Sequence, residues 1–215
     1  MEMERPIGAG LEQIKALILK MGKLSMDSIS LAVEGFKEMR DEHLQVRAWS
    51  NTLLILSVEV EDRATELIAL HQPAADDLRH IRAYIKVAYD MERFGRYALD
   101  ISYIVTRLGT WTPLSDSHLK LEPMANKAKE IVSLAMELTR TPEQDLIGKI
   151  SEVEAQIDEL YLGNLKTLTN SAGADTRTIM ANTLMIRYLE RIADHASYVA
   201  ESITYAETGR RIELR

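Results

Sequence analysis

The chain has 215 residues, with 26 Lys or Arg against 33 Asp or Glu, and therefore carries a net charge of −7. This acidic balance gives no general attraction to nucleic acid or to an anionic membrane. The chain contains no cysteine, which excludes disulfides, thiolate metal sites and cysteine nucleophiles.

Apolar residues at steps of three and four predict three long helices in the first half. The first follows the series from Leu11 to Ile29, the second covers about 40–70, and the third runs from about Pro73 to Leu108. The apolar runs are short, as at 53–56, whereas a membrane span needs roughly 20 apolar residues. The first residues also lack the features of a signal peptide, so we expect a cytoplasmic protein.

The segment 109–117 contains Gly, Thr, Pro and Ser residues and is typical of a linker. The pattern after it predicts three more helices, over about 117–139, from the residues after Thr141 to about Thr169, and over about 176–207. Thr141-Pro142-Glu143-Gln144 has the spacing of a capping box. Asp175 is a good N-cap for the last helix.

The two halves resemble each other when the first is shifted by 98 residues. The window 76–105 then gives seven identities, namely Asp77 with Asp175, Arg79 with Arg177, Ile81 with Ile179, Ala83 with Ala181, Glu92 with Glu190, Arg93 with Arg191 and Ala98 with Ala196. The preceding helices align with a shift of 97. We therefore predict an all-α protein of six long helices, built as two tandem three-helix bundles over 1–112 and 113–215, with an internal pseudo-twofold repeat.

Two pairs of acidic residues in the second half have the spacing of one helical turn. Glu154 and Asp158 form one pair, and Glu190 and Asp194 form the other. Residues four apart share a helix face, where like charges repel. Carboxylate oxygens suit hard divalent cations, so the spacing is compatible with a metal site.

A second interpretation needs no metal. Arg187 and Arg191 lie within one turn of Glu190 and Asp194, and these residues can form a solvated lattice of ion pairs. His118 and His195 each lack a second histidine at ligand spacing. The spacing alone leaves both interpretations open.

The equivalent positions in the first half are less acidic. Ser57 and Glu61 correspond to the first pair, and Glu92 and Arg96 correspond to the second. A guanidinium cannot be a metal ligand. We therefore expect weaker metal binding, or none, in the first half.

Two segments carry a family resemblance. The sequence His71-Gln72-Pro73-Ala74-Ala75-Asp76-Asp77-Leu78-Arg79, followed by Asp90-Met91-Glu92-Arg93-Phe94-Gly95, is similar to the signature R-Q-P-x-A-x-D-L-R … E-R-I-G-D of the PhoU family. Residues 188–196 resemble the second copy of that signature. The resemblance covers nearly the whole chain.

The resemblance implies two tandem three-helix bundles and a cytoplasmic regulator that restrains phosphate uptake and the phosphate-starvation response. It implies contact with the ATPase subunit of a phosphate transporter and with a membrane sensor histidine kinase. It also implies iron, zinc or magnesium-type ions on the bundle surface, with Glu154, Asp158, Glu190 and Asp194 as ligands and Glu61 and Glu92 as remnants.

No catalytic motif is recognisable in the sequence. It contains no P-loop, no nucleophile elbow and no H-E-x-x-H zinc motif, and no Glu-x-x-His of a di-iron bundle. We therefore predict a regulator that is not an enzyme and that forms a homodimer, reaching the membrane only through its partners. The alternatives are a metal-free helical scaffold and a carboxylate-bound metal enzyme.

Overall fold

The computed structural model describes residues 6–114, 119–171 and 173–214, and these contain six α-helices and no β-strand. The helices are α1 (Pro6–Glu38), α2 (His43–His71), α3 (Ala75–Leu108), α4 (Leu121–Arg140), α5 (Gln144–Thr169) and α6 (Thr176–Thr208). The predicted all-α class and the six long helices are confirmed. The predicted start at 117 and His118 lie outside the described residues.

The apolar stripes of the helices meet in one continuous core. Phe94, Met91 and Ile81 of α3 are completely buried, as are Met185 and Ile192 of α6. Burying apolar surface contributes about 25 cal/mol per Å². The core is therefore the main source of stability for the fold.

The helices form two three-helix bundles joined along their central helices. α3 packs extensively on α6, and α1 packs on α4. In the part of the chain that the structure describes, α2 contacts α1 and α3, and α5 contacts α4 and α6, but α2 and α5 do not meet. These two helices therefore form the outer sides of the molecule, in equivalent places of the repeat.

The described part of the loop between α3 and α4 includes a residue that packs against the first bundle. Trp111, in the predicted linker, is buried, and its ring centroid lies 4.8 Å from that of Phe36 in α1. The predicted boundary between 1–112 and 113–215 falls in this loop. That division of the chain stays a prediction.

One of the two predicted helix caps is correct. Both side-chain oxygens of Asp175 accept hydrogen bonds from Thr178, from its amide at 3.0 Å and from its hydroxyl at 2.7 Å. The capping box at Thr141 is wrong, because Thr141 is the extended residue that ends α4 and α5 begins only at Gln144. Pro142 restricts the residue before it to extended conformations, which lets the chain turn before the next helix starts.

Among the described residues, no helix combines the length and the apolar character that crossing a bilayer requires.

Candidate functional site

The acidic pairs of the second half lie on two helices that pack together. Glu154 and Asp158 lie on α5, and Glu190 and Asp194 lie on α6. Glu154 is 6% exposed and Asp194 is 7% exposed, whereas Asp158 is exposed and Glu190 is half-buried. Two carboxylates thus lie largely below the surface, where a charge needs a partner.

The charges of the two helices influence each other. Burial raises the pKa of Glu190, and the neighbouring charges of Asp194 and Asp158 raise it further, while Arg187 and Arg191 lower it. The influence of Asp158 on α5 shows that carboxylates from both helices share one region. Such a like-charge group gains from a nearby cation.

Two arginines supply positive charge to this region. Nη1 of Arg187 donates to both carboxylate oxygens of Glu190 at 2.6 and 2.7 Å, and Nη1 of Arg191 donates to Asp194 at 2.7 Å. The ion pairs expected from the spacing are therefore present.

The donor chemistry of the four carboxylates fits a hard cation. In the described ranges, however, no three acidic or histidine side chains are gathered closely enough to hold a metal ion. Coordination would require Glu190 and Asp194 to exchange their arginine partners for the ion. The metal assignment stays a prediction.

The equivalent region of the first half is arranged differently. Glu92 is buried at 8% exposure, and Nε of Arg96, one turn later, lies 3.9 Å from its carboxylate. Glu61 is exposed on α2, and Ser57 beside it is half-buried. Arg96 thus places a fixed positive charge beside the acid, as the substitution in the sequence predicts.

A buried polar network at the contact of α3 and α6 was not predicted from the sequence. Nδ1 of His195 lies 2.8 Å from Oδ1 of Asp90, and both side chains are almost completely buried. Burial raises the pKa of Asp90, and the hydrogen bond with His195 opposes that rise. His195 is therefore a core histidine held by a carboxylate.

The network continues to a tyrosine and two arginines. The hydroxyl of Tyr97 lies 3.4 Å from Nε2 of His195 and accepts hydrogen bonds from Arg93 at 3.0 Å and Arg191 at 3.4 Å. The same arginines lie over the Tyr97 ring, 4.8 and 5.9 Å from its centroid. Arg191 thus links this network to Asp194. The 98-residue shift pairs Tyr97 with His195, and this pairing was the sequence signal from which the contact could have been predicted.

Known proteins share both the fold and the repeat of this chain. A family model described as the PhoU domain matches twice, over residues 18–105 and 121–203. A phosphate-specific transport system accessory protein PhoU homolog from Aquifex aeolicus is 32% identical over 207 residues, covering 94% of this chain and 93% of the relative. A protein of the same description from Clostridium acetobutylicum is 27% identical over 209 residues, covering 95% of each chain.

A solved structure has the same fold. The crystal structure of PhoU from Pseudomonas aeruginosa superposes with a TM-score of 0.87 at 24% identity, covering 94% of this chain and 99% of that chain. The two matched domains correspond to the two halves found from the sequence. The chain therefore belongs to the PhoU family.

Proposed function

We propose that this protein is a non-enzymatic regulator of phosphate uptake. It restrains the phosphate transporter and phosphate-starvation signalling through protein contacts. Membership of the PhoU family supports this role, because curated relatives are described as accessory proteins of the phosphate-specific transport system. The contact surface is inferred from the two copies of the repeat.

The observation that carries the proposal is the outward face of α2. Leu54, Ile55 and Val58 are exposed there by 48%, 67% and 49%. Such a patch on one helix is a mark of a protein contact. The equivalent positions on α5, found with the shift of 97, are Ser151, Glu152 and Ala155. The fold therefore does not require apolar residues at this place.

We assign this α2 face to the ATPase subunit of the transporter. Exposed acids at Glu61, Asp62 and Glu66 continue along the same helix. This face is therefore complementary to a partner surface with an apolar centre and a basic edge. A sensor histidine kinase is the second partner that the family resemblance implies.

Co-purification from phosphate-replete cells tests the assignment. We expect wild-type protein to recover the ATPase subunit, and Ile55→Asp to lose it, because a charge would enter the centre of the apolar contact. Leu162→Asp is the matched control, since Leu162 is 63% exposed on α5. Equal recovery with Ile55→Asp and wild type would overturn the assignment to α2.

A second copy of the chain is the other occupant that the test must separate. The homodimer stays a prediction, and light scattering on wild type and Ile55→Asp measures it directly. A dimer that Ile55→Asp converts to monomer, with ATPase recovery unchanged, would assign the α2 face to self-association instead.

We further propose that Glu154, Asp158, Glu190 and Asp194 hold a metal ion of the iron, zinc or magnesium type. The support is the raised pKa of Glu190 and the burial of two of the acids. A bound cation would neutralise the carboxylates and fix one contact surface of the second bundle. Glu61 and Glu92 would contribute a weaker site, because Ser57 and Arg96 stand where the second half has two further carboxylates.

Elemental analysis of purified protein tests the metal proposal. We expect metal in wild type and loss of it in the pair Glu190→Gln with Asp194→Asn, which keeps the side-chain shapes. The control Glu137→Gln changes an exposed acid on α4 and should leave the metal content unchanged. Wild type without metal after dialysis against iron, zinc and manganese salts would favour the metal-free scaffold.

A further inference from the structure

A pocket of about 240 Å³ lies between α3, α6 and the segment that follows α6. Its charged lining consists of Arg82 and Lys86 from α3, Glu201 from α6, and Arg211 and Glu213 from the final segment. Three cations therefore face two carboxylates, in a chain whose net charge is −7. The positive balance is local and contrasts with the molecule as a whole.

The segment after α6 is held in place against the helices. Gly209 turns the chain with a positive φ of 69°, and the amide of Leu214 donates to Oε1 of Glu201 at 3.2 Å. Leu214 also packs against the core. Arg211 lies over the ring of Tyr205, 5.6 Å from its centroid. One wall of the pocket is thus formed by a docked segment.

Two acids share the pocket with the three cations, but they are not joined to them by direct ion pairs in the described residues. Within 6–114, 119–171 and 173–214, no ion pair joins Arg82, Lys86 or Arg211 to a carboxylate, whereas one oxygen of Glu201 is occupied by the Leu214 amide. Lys86 lies over the ring of Tyr198 at 5.6 Å. These three side chains have donors left for a ligand.

The repeat provides an independent comparison. The shift of 98 places Met180 and Leu184 of α6 where Arg82 and Lys86 stand in α3. Met180 and Leu184 are 47% and 36% exposed. The same place in the fold is therefore basic in one half and apolar in the other. Folding therefore does not require the two cations, which are exposed and accessible to a ligand.

We propose that this pocket binds a phosphate-class oxyanion, either inorganic phosphate or the phosphoryl group of a small metabolite. Guanidinium groups match such an anion with paired N–H donors, and an ammonium adds a point charge. Tyr205 also lines the pocket, and its side chain carries a neutral hydroxyl donor. The volume is below the 300–1,000 Å³ typical of drug-sized ligands, which favours a small anion.

This inference goes beyond the regulatory role and does not depend on it. The pocket uses α3, α6 and the final segment, whereas the proposed contact with the transporter uses α2. Binding is measured on the purified chain alone. Loss of ATPase recovery and loss of anion binding are therefore separate results.

Calorimetric titration with inorganic phosphate tests the proposal. We expect saturable binding to wild type, weakened about tenfold or more in Arg82→Gln and in Arg211→Gln, because each removes a charge-assisted hydrogen bond. Arg140→Gln is the control, since it removes an exposed arginine at the end of α4. Circular dichroism of each variant checks that the fold is retained.

Further titrations separate the sources of the anion. ADP that competes with phosphate supports a phosphoryl metabolite, and phosphate binding without competition by ADP supports the free ion. No saturable binding of phosphate or ADP, or equal weakening in Arg140→Gln, overturns the proposal. Variant-sensitive binding of a polyglutamate peptide or of phosphatidylglycerol vesicles, without phosphate binding, overturns it in favour of a macromolecular contact.

Discussion

Tyr97 and His195 lie 98 residues apart, the same offset that relates the two halves of the chain, and the Tyr97 hydroxyl lies 3.4 Å from Nε2 of His195. The two residues therefore occupy equivalent positions on α3 and α6 and meet where the bundles join. Arg93 and Arg191, which are also equivalent, both donate to the Tyr97 hydroxyl. Residues that the repeat relates to one another therefore meet at the hydroxyl of Tyr97.

The contact is symmetric in position but not in chemistry. His195 faces Tyr97 with one ring nitrogen and the buried carboxylate of Asp90 with the other. In the described structure, Oδ2 of Asp90 is buried without a hydrogen-bond partner. His195 is therefore the hydrogen-bond partner that the buried carboxylate of Asp90 has in this contact.

We expect His195→Ala to lower the free energy of unfolding by about 3 kcal/mol, because the substitution leaves the buried Asp90 without its partner. Guanidinium unfolding followed by circular dichroism measures the change. His71→Ala removes an exposed histidine at the end of α2 and should change the free energy by less than about 0.5 kcal/mol.

The double substitution Asp90→Leu with His195→Leu sharpens the test. Replacing both partners with apolar residues removes the uncompensated charge, so the double variant should be more stable than His195→Ala. A double variant as unstable as His195→Ala would show that packing, and not the charge, causes the loss.

The helices and their repeat were predictable because both depend on local patterns. Apolar spacing of three and four fixes which face of a helix is buried, and proline marks where helices end. The capping box at Thr141 was predicted from residues of the right type and spacing. Pro142, however, restricts Thr141 to an extended conformation, and α5 begins only at Gln144. The repeat was found from sequence identities alone, such as that of Glu92 with Glu190, and these aligned the two halves correctly.

The surroundings of the acidic residues were only partly predictable. Spacing placed Glu154 and Asp158 on one helix and predicted the pairing of Arg187 and Arg191 with acids on their own helix. The shared ligand set implied that Asp158 and Glu190 lie in one region. The burial of Glu154 was not predicted, because it depends on how α5 packs against α6. Asp90 was missed for the same reason, since its partner lies 105 residues away.

Two helical glycines provide a matched test of packing. A Cβ at Gly95 in α3 would meet Leu53 of α2, which is completely buried, whereas a Cβ at Gly148 in α5 would meet nothing within 4 Å. We expect Gly95→Ala to cost about 1–3 kcal/mol through overpacking. We expect Gly148→Ala to add up to about 1 kcal/mol, because alanine favours helix. Urea unfolding measures both, and a stabilised Gly95→Ala would contradict the close contact.

The cap of α6 should make stability depend on pH. Hydrogen bonds from the hydroxyl and amide of Thr178 lower the pKa of Asp175. The charged cap thus stabilises the fold above the ordinary pKa of aspartate, and this contribution is lost as the pH falls through the lowered pKa. We expect Asp175→Ala to lower the thermal midpoint at pH 7, with a smaller effect near pH 3.

Glu143 is the matched control for this cap. It stands before α5 in the same position, but its side chain makes no capping hydrogen bond. Glu143→Ala should leave the thermal midpoint nearly unchanged at both pH values. Equal losses in Glu143→Ala and Asp175→Ala at pH 7 would remove the cap as the cause.

The ionisation of Glu190 should change the stability with pH in the direction opposite to that of Asp175. Burial, and then the charges of Asp194 and Asp158, raise the pKa of Glu190. The folded state therefore favours its protonated form, and this contribution is present below the ordinary pKa of glutamate and is lost as the pH rises through the raised value. We expect Glu190→Gln to be more stable relative to wild type at pH 7 than at pH 4, because glutamine does not ionise.

Unfolding free energies of wild type and Glu190→Gln over pH 4–8 measure this difference, with Glu137→Gln on α4 as the exposed control. A difference between wild type and Glu190→Gln that does not change with pH would show that Arg187 fully offsets the like charges. Manganese at pH 7 should stabilise wild type and so reduce the difference in unfolding free energy between wild type and Glu190→Gln. The cation would relieve the repulsion between Glu190 and Asp194, as protonation does at lower pH. The same salt should leave Glu190→Gln nearly unaffected, so the pH profile and the metal response test one electrostatic cause from two sides.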